Sequence, residues 1–280
     1  SGTPKTISGL SDRVIYQIEL TGLTPGVPYY FAAGSPEIGL SAERMFRTPS
    51  TGTIKFVSGG DMGVGDATRK LMDRASIEEP HFAVVGGDIA YANGSLNNVD
   101  RWDDWFENWC DRMITPKGFT IPAVLAIGNH EVDGSYGQTP ADAPFYFGFF
   151  AQEGRKSHFL RTFGSDLVLL VLDTGHVAPH SGAQAAWLEQ KLAAHAGKRF
   201  KIAAYHVPLY PAHRAHGGTY SARGRTHWGP IFDRHGLTVG LENHDHVLKR
   251  THPLRNGAVD PKGTVYLGDG CWGRMERLWT

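Results

Sequence analysis

The sequence has few cysteines, no long apolar run and no excess of charge of either sign. Its two cysteines, Cys110 and Cys271, fit neither a disulfide framework nor a zinc-finger spacing. No apolar run approaches the roughly 18 residues of a membrane span, and residues 1–4 lack the basic and apolar regions of a secretory signal. The 28 basic and 28 acidic residues balance, so a surface built for nucleic acid or for membranes is not expected. Partners must therefore be inferred from sites.

The 280 residues are 41% hydrophobic and 20% charged, which is enough for one large core and a small additional module. The pattern changes near residue 48. Before it, VIYQIEL and YYFAAG are short segments rich in aromatic and β-branched residues, separated by the turn TGLTPGVP. About fifty residues are too few for a sandwich of seven strands. We therefore predict a partial β-sandwich module over residues 1–50, with the sequence beginning inside it, and a second domain over residues 51–280.

After residue 53, apolar runs typical of buried strands alternate with helical segments near 65–75, 99–113, 182–196 and 223–235. The runs are TIKFVSGGD, HFAVVGGD, IPAVLAIGNHE, LVLLVLDTG, RFKIAAYH and LTVGLENHDH. This order predicts an α/β fold. The segment HFLRTFGSDLVLLVLD has the form of a hairpin, which leaves an α+β fold open.

Aromatic residues in RWDDWFENWCDRM recur at steps of three and four, the spacing of a buried helix stripe. The stripe consists of Trp102, Trp105, Phe106, Trp109 and Met113. Cys110 is expected to be a buried free thiol beside it. KRTHPLRNG is predicted to form a hairpin arm with solvated charges.

Five of the predicted strands end on residues that can bind a metal ion: Asp61, Asp88, Asn129 with His130, His206, and His244 with His246. Taken singly, such residues are more often helix caps, turn formers or hydrogen-bonded histidines. As a set they indicate a site, because the carboxyl ends of strands in α/β sheets line one crevice. His244 and His246 are two residues apart, so in an extended segment both would point to the same side.

In this order, GGDMG, GGDIAY, GNHE, AYH and NHDH resemble the five-part signature of the calcineurin-like metallophosphoesterases. The tyrosine of GGDIAY resembles the tyrosine at this motif position in the purple acid phosphatase branch of the family. The resemblance covers residues 54–280, and residues 1–50 resemble part of a fibronectin type III-like module. The implied fold is a metallophosphoesterase β-sandwich with flanking helices.

The resemblance implies two metal ions, Fe(III) and a divalent Zn, Mn or Fe ion. The first would be held by Asp61, Asp88, Tyr91 and His246, and the second by Asp88, Asn129, His206 and His244, with the Asp88 carboxylate bridging. Such a bridge holds ions about 3.5–4 Å apart, as an in-line displacement requires. A Tyr91 phenolate favours a trivalent ion and would give the protein a purple colour, whereas neutral imidazoles suit Zn or Mn.

Beyond the ligands, the resemblance implies that His130 contacts the phosphate and protonates the leaving oxygen, with Glu131 orienting it. Asn129 is expected to contact substrate as well. In the loop after His206, the resemblance points to His216 as a catalytic and substrate-binding residue and to His213 as a substrate contact.

One position departs from the family pattern, because Asn243 stands where a glycine usually precedes the final His-x-His. Asparagine tolerates a left-handed turn, so the ligand loop is expected to survive. The resulting prediction is a phosphomonoesterase that uses a metal-bound hydroxide. The alternatives are a phosphodiesterase, or a binding module with a vestigial hydrolase domain. We expect a secreted or periplasmic protein with a small phosphate-ester substrate, no nucleic acid partner and no membrane span. The oligomeric state stays open.

Overall fold

The computed structural model describes residues 2–151, 156–268 and 270–279. Its first fifty residues form short strands: β1 Thr3–Ile7, β2 Leu10–Gln17, β3 Pro28–Phe31, β4 Gly34–Ser35, β5 Gly39–Leu40 and β6 Arg44–Arg47. Strand β1 pairs with β2, β3 with β6, and β4 with β5, all antiparallel.

A parallel three-stranded sheet follows, in the order β7-β8-β9. Its elements are β7 Phe56–Gly59, α1 Asp66–Ser76, β8 Phe82–Val85, α2 Asp100–Arg112 and β9 Ala123–Leu125. Every residue of β8 is buried, as expected for a central parallel strand that is covered on both faces.

The second sheet has six strands in the order β10-β11-β12-β13-β17-β14. The remaining elements are α3 Pro144–Phe149, β10 Phe159–Phe163, β11 Leu167–Val171, α4 Ala183–Ala194, β12 Phe200–Ala204, α5 Thr219–His227, α6 Gly229–His235, β13 Val239–Glu242, β14 Lys249–Arg250, β15 Leu254–Arg255, β16 Ala258–Val259 and β17 Val265–Gly268. The hairpin predicted in HFLRTFGSDLVLLVLD is the antiparallel pair β10–β11, and β15 pairs with β16 in the predicted hairpin arm.

The two sheets pack face to face. Phe82 and Val84 of β8 share a buried cluster with Leu169 of β11 between the sheets. The alternate residues Ala83 and Val85 face the opposite way, into a cluster with α1 and α2. Helices α4 and α6 cover the outer face of the larger sheet. The predicted sandwich with flanking helices is therefore confirmed, and none of the described helices is long and apolar enough to cross a membrane.

The aromatic stripe of α2 is buried as predicted, with Trp102, Trp105 and Trp109 in the core. Cys110 is a free thiol, but the expectation that it is buried is wrong, because the side chain is exposed. It follows Trp109 by one residue, which turns it about 100° around the helix and away from the core. The predicted helix 223–235 is divided into α5 and α6, with Pro230 in the first turn of α6, where proline is tolerated.

Residues before 50 contact the larger part of the chain. Ile7 is buried in its core, and the side-chain amide of Gln17 donates to the carbonyl of Phe149 at 3.3 Å. The amide of Thr120 donates to the carbonyl of Met45 at 2.7 Å. The domain division at residue 50 and the likeness of this segment to a fibronectin type III module stay predictions.

Candidate metal centre

The candidate ligands follow strands of both sheets at the carboxyl ends. Asp61 follows β7, Asp88 follows β8 and Asn129 follows β9, while His206 follows β12 and His244 follows β13. Because the sheets pack face to face with these ends together, the ligand loops meet at one end of the sandwich.

Several of these residues have left-handed backbone conformations, which are uncommon for residues other than glycine. The φ angles are 56° at Asp61, 53° at Asp88, 60° at Tyr91, 69° at His244 and 54° at His246. Such strain persists only where the surrounding structure enforces it, and it clusters at functional sites. Here the two Gly-Gly-Asp loops hold each other, since the Asp61 amide donates to the Gly87 carbonyl at 3.0 Å.

The expectations about the His-x-His segment need two corrections. The left-handed residues are the histidines, and Asn243 is not among the residues with positive φ. The segment is also not extended, because β13 ends at Glu242 and both histidines have positive φ angles. The side-chain amide of Asn243 instead donates to the Tyr205 carbonyl at 3.0 Å, and this side chain packs against Gly60 and Gly86, where a Cβ would collide with it.

A first group of atoms that could donate electron pairs to a metal ion, the first donor group, surrounds Asp61. Its Oδ1 lies 3.0 Å from Nε2 of His246 and accepts a hydrogen bond from the Tyr91 hydroxyl at 3.3 Å. The Tyr91 hydroxyl is also 3.5 Å from that histidine nitrogen. Three donor atoms of different residues therefore face one point.

A second group surrounds Asp88 and His206. Nε2 of His206 lies 3.2 Å from Oδ2 of Asp88, 3.0 Å from Oδ1 of Asn129 and 2.9 Å from Nδ1 of His244. Among the described residues, Asp61, Asp88, His206 and His244 each offer one ligand atom within 4.8 Å of the others, and all four are buried. The two groups are therefore adjacent.

Neighbouring polar groups orient both imidazoles. Nδ1 of His206 lies 2.9 Å from the Gly86 carbonyl, an acceptor, so Nε2 faces the donor cluster with its lone pair. Nε2 of His244 lies 3.4 Å from the Tyr136 hydroxyl, which leaves Nδ1 toward the cluster. The sequence analysis did not identify Tyr136.

Without a cation, burial and the neighbouring charges shift the pKa values of the residues in this cluster. Burial raises the pKa of Asp61. Burial also acts to raise the pKa of Asp88, but the facing histidines outweigh it and hold that pKa below its usual range. Burial acts to lower the pKa of His206, yet Asp88 and Asp61 raise it to about 9. Burial and the charge of His206 keep the pKa of His244 well below its ordinary value.

The residues therefore fit a metal centre. Two buried carboxylates require positive charge, but the imidazoles of His206 and His244, whose facing nitrogens lie 2.9 Å apart, cannot both be protonated. Metal cations would satisfy the carboxylates while the histidines bind as neutral ligands. Burial and the two aspartates also raise the pKa of Tyr91, so a phenolate there requires a nearby cation.

His130 lies at the opening of this centre, with Nε2 3.8 Å from Oδ2 of Asp88. Its Nδ1 is hydrogen-bonded to Oδ1 of Asn93, a residue that the sequence analysis did not identify. The expectation that Glu131 orients His130 is wrong, because the Glu131 carboxylate instead accepts backbone hydrogen bonds from the Asp88 loop.

The structure does not bring His216 to the centre. Its exposed side chain lines a separate cavity with Tyr210 and Arg225. Nδ1 of His213 lies 2.8 Å from the Leu278 carbonyl, and His213 does not line the cavity at the centre. Arg214, between them, does line that cavity, and its guanidinium pairs with Asp245 at 3.1 Å.

The cavity at the centre has a volume of about 240 Å³. Besides candidate ligands, His130 and Arg214, it is lined by Arg274 and Arg277 from the C-terminal segment. These two arginines were missed because they lie outside the recognisable motifs; their only sequence signal is two arginines three residues apart beyond the last strand.

The fold and the donor cluster define the chain as an α/β sandwich protein with a buried metal centre of carboxylates and histidines. Residues 60–248 match the calcineurin-like phosphoesterase family, and the chain belongs to that family.

Similar proteins include plant purple acid phosphatases. Purple acid phosphatase 23 of Arabidopsis thaliana is 25% identical over 299 residues, spanning 95% of this chain and 64% of that protein. Purple acid phosphatase 15 of the same plant is 24% identical over 296 residues, with 95% and 54% covered. The structure of purple acid phosphatase PPD1 from yellow lupin (Lupinus luteus) seeds has a TM-score of 0.75 at 19% identity, covering 93% of this chain and 53% of that one. At that identity the likeness concerns the fold alone. The chain spans between half and two thirds of the length of these relatives.

Proposed function

We propose that this protein is a binuclear metal-dependent phosphoester hydrolase that acts on phosphomonoesters. The observation that carries the proposal is the pair of adjacent donor groups around the buried Asp61 and Asp88, members of both of which line a cavity that also contains arginines. The first ion would be bound by Asp61, Asp88, Tyr91 and His246. The second would be bound by Asp88, Asn129, His206 and His244, with Asp88 shared.

The metals that we propose are Fe(III) at the first site and Zn, Mn or Fe as a divalent ion at the second. A site with a phenol and two carboxylates offers hard oxygen ligands, which suit a trivalent ion. The second site has two imidazoles besides carboxylate and amide oxygens, a mixture that suits a divalent transition metal.

Such a metal pair, when bound, polarises phosphoryl oxygens and lowers the pKa of water. Residues of the protein itself would bind the phosphate and protonate the leaving group. Asn129 and His130 contact the phosphate, and Arg214, fixed by Asp245, adds a positive charge beside it. His130 gives the leaving oxygen its proton from Nε2, while Asn93 holds the ring at Nδ1. Burial lowers the pKa of His130, so the protonated ring releases its proton more readily.

The proposal does not include His213 and His216, since neither side chain lines the cavity. A monoester fits this site better than a diester, because the small cavity with Arg214 and His130 beside the metal ions suits a dianionic group better than a monoanionic diester.

Initial hydrolysis rates of p-nitrophenyl phosphate and bis-p-nitrophenyl phosphate test this proposal. The protein is loaded with iron and zinc or iron and manganese and assayed at acidic and mildly alkaline pH, with Asp88→Asn as an inactive control. We expect a strong preference for the monoester at acidic pH. A preference for the diester would make the protein a phosphodiesterase, and no activity on either ester despite two bound ions would refute a hydrolase.

We also propose that the protein is exported from the cytoplasm, on the basis of the family resemblance. Detection of the native protein in secreted or periplasmic fractions with an antibody would support it, and an exclusively cytoplasmic signal would refute it.

A further inference from the structure

The C-terminal segment, residues 270–279, lies across the loops that carry the candidate ligands. Three of its amides donate to those loops: Trp272 to the Gly60 carbonyl at 3.0 Å, Arg274 to that of Asp61 at 3.2 Å, and Arg277 to that of His246 at 2.8 Å. The two arginines are therefore held in register with Asp61 and His246. This segment lies beyond residues 60–248, which match the family.

Arg274 has a fixed position over the first donor group. Its guanidinium carbon lies 3.4 Å from the centre of the Tyr91 ring, a cation–π contact. A third arginine stands behind it: a Cβ at Gly63 would lie 3.7 Å from the guanidinium carbon of Arg274 and 3.9 Å from an Nη of Arg101. Arg101 is anchored by its Nε, which donates to the Ala90 carbonyl at 2.8 Å.

Among the residues that the structure describes, these cations have no carboxylate partner. Arg101, Arg274 and Arg277 form no ion pair within that part of the chain, whereas Arg214, which lines the same cavity as Arg274 and Arg277, is paired with Asp245. Like charges held close together repel, and a bound anion relieves that repulsion. The planar guanidinium matches the oxygens of a phosphate in a bidentate arrangement.

We propose that Arg274 and Arg277, with Arg101 behind them, form a subsite for a second phosphate group of the substrate. The subsite lies beside the donor group of Asp61, Tyr91 and His246. It would make the enzyme selective for phosphomonoesters that carry another phosphate near the scissile ester. This inference rests on the proposed function, since it names the substrate class of the same site.

The test compares 1,4-butanediol monophosphate with 1,4-butanediol bisphosphate, in both of which a primary alcohol is the leaving group. The metal-loaded full chain is assayed as wild type, R277Q and R274Q/R277Q. R277Q retains the contact between Arg274 and Tyr91, so it reports on the subsite even if the double variant loses metal. The matched control is R199Q, because the exposed Arg199 immediately precedes β12, at the opposite end of the strand from His206.

We expect the wild type to prefer the bisphosphate in kcat/KM by about tenfold or more, the effect of one or two charge-assisted hydrogen bonds. R277Q should reduce this ratio and R274Q/R277Q should bring it near one, mainly through KM. R199Q should leave it unchanged. Equal kcat/KM for both substrates in the wild type, or an unchanged ratio in R277Q and the double variant, would overturn the subsite while leaving the hydrolase proposal intact.

A binding measurement separates the two proposals. Calorimetric titration of the metal-loaded protein with inorganic phosphate and with pyrophosphate requires no turnover. Tighter binding of pyrophosphate by about tenfold, lost in R274Q/R277Q, would support the subsite even if no ester were hydrolysed. Equal affinities in the wild type, or a preference that the double variant retains, would refute it.

Discussion

The carboxylate of Glu131 accepts a hydrogen bond from the backbone amide of Asp88 at 2.7 Å. It also accepts from the amide of Ile89 at 2.7 Å and from that of Gly128 at 2.8 Å. Glu131 is buried, and its two oxygens join the Gly-Asn-His-Glu turn to the loop that carries the shared candidate ligand. The conformation of Asp88 at a φ of 53° is therefore supported from the neighbouring loop.

Glu131→Gln should destabilise the protein and weaken metal binding. Glutamine presents an NH₂ group to at least one backbone amide, so a buried donor loses its acceptor, which costs about 1–3 kcal/mol in the free energy of unfolding. Urea unfolding and metal analysis after dialysis measure both effects. Glu107→Gln, an exposed change on α2, is the control. Unchanged stability and metal content in Glu131→Gln would contradict this role.

His130→Ala should retain both metals but lose turnover of an alkyl phosphate by about 10²–10⁴-fold, because its leaving oxygen needs a proton. The loss should be much smaller with p-nitrophenyl phosphate, whose leaving group departs as a stable anion. Asn93→Ala should show the same pattern more weakly, since Asn93 only orients the ring. Equal losses on both esters would indicate that His130 binds phosphate without acting as the acid.

The sequence predicted the strands and the ligand loops after them because each strand carries its signal locally, whereas the sandwich was implied by the family resemblance. HFAVVGGD, for example, combines a buried run with the glycines and the aspartate that follow it, and the structure has this order in β8 and Asp88. His216 could not be located in this way. Its position depends on the path of a loop, and that loop turns Arg214 toward the cavity and His216 toward another.

Residues that act through contacts distant in sequence were also missed. Asn93 and His130 are 37 residues apart, and Arg274 reaches Tyr91 from the end of the chain. Glu131 was assigned to its sequence neighbour His130, whereas the fold directs its carboxylate to the amides of Asp88 and Ile89. Local patterns identify such residues only when the partner lies in the same motif.

Tyr91→Phe should remove the colour of the iron-loaded protein. The Tyr91 hydroxyl lies 3.3 Å from Oδ1 of Asp61, where an ion at the first site would displace its proton. The visible absorption spectrum of wild type and variant at equal iron content measures the effect. A colourless wild type with full iron occupancy would remove Tyr91 from the proposed ligands.

Asn243→Gly should restore the usual family residue yet lower stability by about 1–3 kcal/mol, because the buried Tyr205 carbonyl loses its donor at 3.0 Å. Metal content should be unchanged, since His244 and His246 remain. Gly86→Ala tests the same contact by crowding it. The new Cβ would lie 1.7 Å from Nδ2 of Asn243, which directly precedes the candidate ligand His244, so metal binding should fail. A fully stable Asn243→Gly protein would show that the asparagine is dispensable.

The buried His180 should make the protein acid-sensitive. Its ring packs on Trp228 at 4.4 Å, and neither ring nitrogen has a hydrogen-bond partner among the described residues. Burial, and then the charges of His176, His227 and Arg223, lower the pKa of His180 to about 3.

The folded-state pKa of His180 lies below the unfolded value of about 6.5, so the unfolded chain binds the extra proton as the pH falls. The stability that neutral His180 permits is complete above pH 6.5 and is lost progressively down to about pH 3, by about 1.4 kcal/mol per pH unit. His180→Leu cannot titrate, so its loss of unfolding free energy between pH 7 and pH 4.5 should be smaller than that of the wild type by about 2–3 kcal/mol. Urea titrations of both proteins at the two pH values measure the difference. An identical pH dependence in the two proteins would mean that His180 finds a partner for its proton within the fold.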